Sequence, residues 1–336
     1  MRKIFIICLI CLSFIAALFS GCVIYQPSTD IDAESSTDPA DSMDYRQEMR
    51  QFVQGISAYM KNRETGFIII PQNGEDIASK DAAVYQDYLN AVDGIGREDF
   101  LFGYNNDNAA TPMDDREYML SSLSIFQEYG KSVLVIDYCS SSNKVQDSYD
   151  TNHNYGFISF AADERNLNSI PASPQPIFHE NTQDVLQISD AQNFLYIINP
   201  ESFASKNDFL DAISRTNYDL VIVDLFFEDS PLTASDISRI KVKDNGAARL
   251  VICYMSIGEA EEYRYYWKDE WIPNPPTWLD QENPDWEGNY KVKYWDPGWQ
   301  KIIYGNDESY AQMILNAGFD GAYLDIIDAF EYYEEQ

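Results

Sequence analysis

Leu220-Val-Ile-Val-Asp224, Leu250-Val-Ile-Cys-Tyr-Met-Ser-Ile-Gly-Glu259 and Gly321-Ala-Tyr-Leu-Asp325 are apolar runs that each end in a carboxylate. Short continuous apolar runs suit strands buried on both faces, the condition of a parallel sheet. The same kind of ending recurs at Asn73, Glu98, Asp137, Asn199 and Asp296. If these strands form a barrel, their C-terminal ends surround its active face. A ring of acids and amides there suits acid/base chemistry or a metal. The plainer reading is that some of these acids cap the helices that follow.

Working outward, strands are expected near 66–71, 92–97, 132–137, 194–199, 220–224, 249–256, 291–296 and 321–326, with a short extra strand at 156–160. Helical spacing of apolar residues marks 44–62, where Met49, Phe52, Val53, Ile56 and Tyr59 fall on one face. Further helices are expected over 80–92, 115–130, 205–216, 233–245 and 306–317. Alternating strands and helices predict an α/β fold with a parallel sheet, and eight such units over 44–336 match a single (β/α)8 barrel. The stretch 139–193, with Pro171, Pro174 and Pro176, fits this pattern poorly.

The chain has 336 residues, 55 of them acidic and 23 Lys or Arg, for a net charge of -32. That balance excludes nucleic acid as a partner, because phosphate binding needs basic patches. It would attract a polycation, or simply keep an exported protein soluble. Residues 1–22 read as a lipoprotein signal: Arg2 and Lys3, an apolar stretch from Ile4 to Phe19, then Leu-Phe-Ser-Gly-Cys at 18–22. Cys22 is the expected lipidation site, and an uncleaved anchor is the alternative. Residues 23–43 read as a flexible tether. The expectation is an exported cell-surface or periplasmic lipoprotein, held to the membrane through its lipid. Cys139 and Cys253 are expected to be buried free thiols. His153 and His179 lie in polar, loop-like sequence, and no Cys/His spacing suggests zinc, so neither metal nor cofactor is expected.

All six tryptophans, Trp267, Trp271, Trp278, Trp286, Trp295 and Trp299, fall in the long insertion 258–299. Aromatic faces stack on sugars and cations, but they also build satellite clusters under long loops. Trp295 and Tyr254, at strand ends, read as mouth residues.

The segments R-L-V-I-C-Y-M-S-I-G-E-A-E-E-Y-R-Y-Y-W, E-N-P-D-W-E-G-N-Y-K-V-K-Y-W-D-P-G-W-Q and A-G-F-D-G-A-Y-L-D-I-I-D-A-F-E-Y-Y, all within 249–333, resemble glycoside hydrolase family 114. The closer resemblance is to its bacterial and archaeal exported branch, similar to endo-α-1,4-polygalactosaminidases. G-F-I-I-I-P-Q-N-G-E-D, D-G-I-G-R-E-D and K-S-V-L-V-I-D-Y-C resemble the same branch, so the likeness covers nearly all of 44–336. Relatives begin with a segment like A-Q-N-F-L-Y-I-I-N-P (191–200), whereas here the second half comes first. The chain therefore reads as a circular permutant of a (β/α)8 barrel, with a rearranged gene model as the competing explanation. Barrel termini lie close together, so the permuted order can close the same barrel.

Glycosidases generally use two carboxyl groups. The resemblance implies acids at the ends of the family's fifth and seventh strands, which fall on Asp325 and Glu98. It casts Asp325 as nucleophile or electrostatic stabiliser and Glu98 as general acid/base, with retention of configuration expected. Arg97 is a candidate to keep a neighbouring carboxylate ionised. Asp224, Glu259, Asp137, Asp296 and Asn73, with Tyr254 and Trp295, are candidates for binding the sugar, and Asp328 for capping the next helix. The expected partner is a polysaccharide with α-1,4-linked galactosamine, cationic wherever its amines are free. The competing function is a non-catalytic surface carbohydrate-binding lipoprotein on the same barrel. A synthetase-like role is disfavoured, since neither H-I-G-H-like nor K-M-S-K-S-like sequence is present.

Overall fold

A computed structural model describes residues 43–81 and 83–336. The expected signal at 1–22 with Cys22, and the tether at 23–43 apart from Met43, lie outside the described residues. Among the described residues no helix is long and apolar enough to cross a membrane.

The fold is mixed α/β with parallel sheets. Eight parallel strands run in chain order: β1 (Ile68–Pro71), β2 (Gly94–Glu98), β3 (Ser132–Tyr138), β4 (Ile158–Ala162), β5 (Phe194–Tyr196), β6 (Leu220–Asp224), β7 (Leu250–Ser256) and β8 (Gly321–Asp325). Hydrogen bonding orders five of them as β5-β6-β7-β8-β1 and the other three as β2-β3-β4. The first and last strands of the chain are neighbours, with Ile68 opposite Gly321 and Pro71 opposite Leu324. The two sheets meet where Gln72 bridges to Gly96 in parallel register. There the Asn73 amide donates to the Gly96 carbonyl at 2.8 Å and the Asp93 amide to the Ile69 carbonyl at 2.9 Å. At the other end β4 lies against β5 without ladder pairing, and Phe160 packs on Phe194 at 5.7 Å.

Two sequence expectations are corrected. The segment 291–296 is not a parallel strand: Asn289–Val292 pairs antiparallel with Glu259–Glu261 and with Leu279–Glu282 in a small separate sheet. Its place among the eight is taken by β4, which had been read as a short extra strand. The poorly fitting stretch 139–193 holds β4 and also the helix α4 (Ser142–Asn154), which carries His153. The His153 and His179 rings lie 4.4 Å apart.

The helices α1 (Tyr45–Lys61), α2 (Gln86–Ala91), α3 (Met113–Glu128), α4 (Ser142–Asn154), α5 (Lys206–Ser214), α6 (Ala234–Ile240), α7 (Pro297–Ile303), α8 (Tyr310–Ala317) and α9 (Ala329–Glu334) each bury apolar residues. α1 (Tyr45–Lys61) buries Met49, Phe52, Val53, Ile56 and Met60, and Asp44 caps it by accepting from the Gln47 amide. The residues of the eight strands are buried except Arg97, Glu98 and Asp325 at C-terminal ends and Ser132 and Ile158 at N-terminal ends, so the strands contribute much of the core. Cys139 and Cys253 are buried free thiols, as expected. The tryptophan-rich insertion packs on itself: Trp267, Trp271, Trp278 and Trp299 form a chain of contacts at 5.3, 5.0 and 5.1 Å.

Candidate active site

Residues opposite each other on paired parallel strands face the same side, and the side alternates along each strand. Tyr254 lies opposite both Asp224 and Tyr323, and Ser256 lies opposite Asp325. These residues therefore share one face. On the second sheet Glu98 lies opposite Ile136, which lies opposite Phe160. Only β1 separates β8 from β2, so Asp325 and Glu98 flank the end of β1, where Gln72 sits.

Asp325 Oδ2 accepts from the Tyr254 hydroxyl at 2.7 Å and Oδ1 accepts from the Ile326 amide at 2.8 Å. It keeps some solvent exposure yet is surrounded by protein. Burial raises its carboxyl to about 8, the nearby Glu98 charge adds to this, and the Tyr254 hydroxyl opposes it. Asp325 is thus protonated at neutral pH. Glu98 is held from three sides. Its Oε2 accepts from Gln72 Nε2 at 2.7 Å and Asn73 Nδ2 at 3.1 Å, and its Oε1 accepts from the Tyr138 hydroxyl. The Tyr196 hydroxyl donates to Gln72 Oε1 at 3.1 Å. Asp325 and Glu98 both act electrostatically on the buried hydroxyls of Tyr196 and Tyr323.

Close approach at this point requires glycine. A Cβ on Gly96 would lie 1.8 Å from the Tyr323 hydroxyl oxygen. Asn73 adopts a left-handed backbone at φ 57°, which asparagine tolerates, and its amide can then both donate to Glu98 and accept from the Glu98 backbone at 3.1 Å.

The other expected sugar-binding residues are mostly engaged elsewhere. Asp137 points away from the mouth: its oxygens accept from the Leu101 and Phe102 amides, Ser148 and Asn152, and it is fully buried under α4. Asp296 caps the helix α7 (Pro297–Ile303) through the Gly298 amide at 2.7 Å and also accepts from Thr277. Glu259 is buried and ties the antiparallel insertion together through Lys291 at 2.6 Å and Asn283 at 2.8 Å. Asp224 shares the inner face but is taken up by Arg264, at 2.8 and 2.7 Å, and Arg264 also pairs with Glu261 at 2.5 Å. Trp295 packs on Tyr45, Tyr294 and Tyr333 instead of lining the mouth. Of the expected set, Tyr254 and Asn73 are placed directly on the two central carboxyls.

Arg97 turns to Glu75 at 3.1 Å, and Asp328 makes no side-chain cap on the helix α9 (Ala329–Glu334). Burial, Glu331 and Glu98 raise Asp328 to about 6, with Arg97 opposing. Arg165, from the connection after β4, pairs with Asp99 at 2.8 Å and lies 4.1 Å over the Tyr138 ring. Among the described residues, Asp325, Glu98 and Asp328 make no ion pair, while Asp224, Glu259, Asp99 and Glu75 each do. Also among the described residues, no cluster of three or more His, Cys, Asp or Glu is placed to hold a metal. Sequence reasoning missed Gln72, Tyr138 and Tyr196. Strand alternation carried a signal for the tyrosines, which occupy inward positions next to the apolar core.

Residues 178–336 match the model of glycoside hydrolase family GH114. The matched part contains Asp325 and Tyr254. Glu98, Gln72, Asn73 and Tyr138 lie outside it. An uncharacterized protein of Methanocaldococcus jannaschii is 40% identical over 159 residues, 46% of this chain and 42% of that protein. One from Thermotoga maritima is 38% identical over 124 residues, 37% of each chain. One from Deinococcus radiodurans is 39% identical over 128 residues, 38% of this chain and 39% of that protein. The chain thus spans about two fifths of the length of these curated relatives.

Proposed function

We propose that this chain is an exported glycoside hydrolase that cleaves α-1,4-linked galactosamine-containing polysaccharide with Asp325 and Glu98 as its two carboxyls. The observation that carries the reading is that two acids end the strands on either side of β1 and, among the described residues, neither pairs with a cation. Glycosidases use that arrangement: one carboxyl protonates the leaving oxygen, and the other attacks the anomeric carbon or activates water.

A circularly permuted (β/α)8 barrel is the architecture that fits this reading. It is supported by the pairing of β1 with β8, by the bridge between the two sheets at Gln72, and by β4 lying against β5. The family match begins at 178, and the permuted order explains how residues before it supply Glu98.

In the free site the proton rests on Asp325. A glycosyl amine is cationic near neutral pH, and a cation beside a carboxyl favours its ionised form. Binding of a free galactosamine residue beside Asp325 would therefore favour its ionised form, the attacking carboxylate, and leave Glu98 for the acid/base role that the resemblance gives it. The nearby cations are already neutralised, Arg264 by Asp224 and Glu261 and Arg165 by Asp99, so they do not oppose an incoming amine.

The test is release of reducing ends by the full chain from α-1,4-galactosaminoglycan, de-N-acetylated or fully acetylated, at low and high salt. The expected outcome is faster cleavage of the deacetylated polymer, with an advantage that shrinks as salt screens the charge. Binding of both polymers without any cleavage would instead identify a carbohydrate-binding protein.

A further inference from the structure

We infer that Gln72, oriented by Tyr196, is a positioning residue that fixes Glu98 relative to Asp325. The inference rests on the paired-carboxyl reading above. Gln72 stands where the two sheets meet. Its backbone amide donates to the Leu324 carbonyl at 2.8 Å, one residue before Asp325. On its other side it bridges to Gly96, two residues before Glu98. One residue therefore ties together the strand ends that carry both acids.

The side chain adds direction. Gln72 is 3% exposed, and its amide can face Glu98 through either its nitrogen or its oxygen. Only one orientation is compatible with its surroundings. The Tyr196 hydroxyl donates to Oε1 at 3.1 Å, which leaves the NH2 group to donate to Glu98 Oε2 at 2.7 Å. Turned over, the amide would set its oxygen against the carboxylate and lose the phenol's hydrogen bond. Tyr196 is itself fixed, because it is buried on β5 and packs on Tyr323 at 5.4 Å and Tyr254 at 6.4 Å. The line Tyr196, Gln72, Glu98 thus crosses from the five-stranded sheet to the three-stranded one and holds one carboxyl oxygen in a set place. Donors aimed at the charged form of a carboxyl favour that form.

The experiment compares Gln72→Leu and Tyr196→Phe with wild type, the second removing a single oxygen. Three quantities are read: kcat and KM on the deacetylated polymer, the pH–rate profile, and the carbon-13 titration of the Glu98 side chain, assigned by its absence in Glu98→Gln. Thermal unfolding confirms that each variant is folded. Gln72→Leu is expected to lower kcat by about 10–100-fold with KM little changed, since small misplacements of reacting groups cost that much. The alkaline limb of its pH profile, which the general acid sets, and the Glu98 titration should both move up relative to wild type, because a donor to the charged form is lost. Tyr196→Phe should shift all three readouts in the same direction by less. A merely structural role would lower the unfolding temperature without moving the pH limb or the titration. Unmoved titrations in both folded variants would overturn the positioning role. If wild type cleaves no glycan, the function proposed above fails, and the Glu98 titration still decides whether Gln72 and Tyr196 hold this carboxyl.

Discussion

Asp325 carries a proton at neutral pH because burial and the charge on Glu98 together outweigh the hydroxyl of Tyr254. In an unfolded chain an aspartate titrates near 3.9, whereas here the folded value is about 8. Between those values the folded state binds more protons than the unfolded one, so stability falls as pH rises through that window. Urea unfolding of wild type and Asp325→Asn at pH 5 and at pH 8 checks this. The expected outcome is that the asparagine variant gains stability relative to wild type at the higher pH; an unchanged difference would remove the raised carboxyl. That Asp325 and Glu98 end parallel strands was legible in the sequence. Their orientation was not, because a run's last residue can fall on either face of the strand. Asp137 and Tyr138 are neighbours on β3, yet Asp137 turns under α4 while Tyr138 donates to Glu98. Asp296 was misplaced for a related reason: it follows a strand that is not one of the eight, and it caps α7.

At the level of elements, the joint between β1 and β2 depends on the absence of a side chain at Gly96. Gly96→Ala would push against the Tyr323 hydroxyl, which is buried and has no hydrogen-bond partner among the described residues. Overpacking of this kind costs about 1–3 kcal/mol. A lower unfolding midpoint is expected for Gly96→Ala, partly restored in Gly96→Ala with Tyr323→Phe; equal midpoints for the single variant and wild type would mean that the joint has spare room. Seven of the eight parallel strands were legible as apolar runs. The eighth was assigned to K-V-K-Y-W-D at 291–296, whose alternation of polar and apolar residues is the mark of a half-buried antiparallel strand. The helix α4 was missed because its buried face is largely polar: Ser148 and Asn152 turn inward to hold Asp137, leaving little apolar periodicity to detect. The tryptophans marked a real element, but they are used mainly to pack the insertion on itself.

Over the whole molecule, the two ends of the described chain meet: β1 pairs with β8, and Asp325 and Glu98 end the strands on either side of β1. The family match covers the half with Asp325, and the half with Glu98 precedes it in sequence. The resemblance made this order legible from motifs, while the exact meeting point of the sheets at Gln72 depends on long-range register that no local pattern encodes. The net charge of -32 sets the surroundings for a cationic polymer without identifying the site, because most acids near the mouth are already paired. The most direct measurement is the turnover of α-1,4-galactosaminoglycan by wild type, Asp325→Asn, Glu98→Gln and the double variant, with unfolding midpoints taken alongside. Each single change is predicted to lower kcat by about a thousandfold or more, with the double variant little worse than either, as for groups that act as a unit. Cleavage at the native rate by the folded double variant would contradict the account.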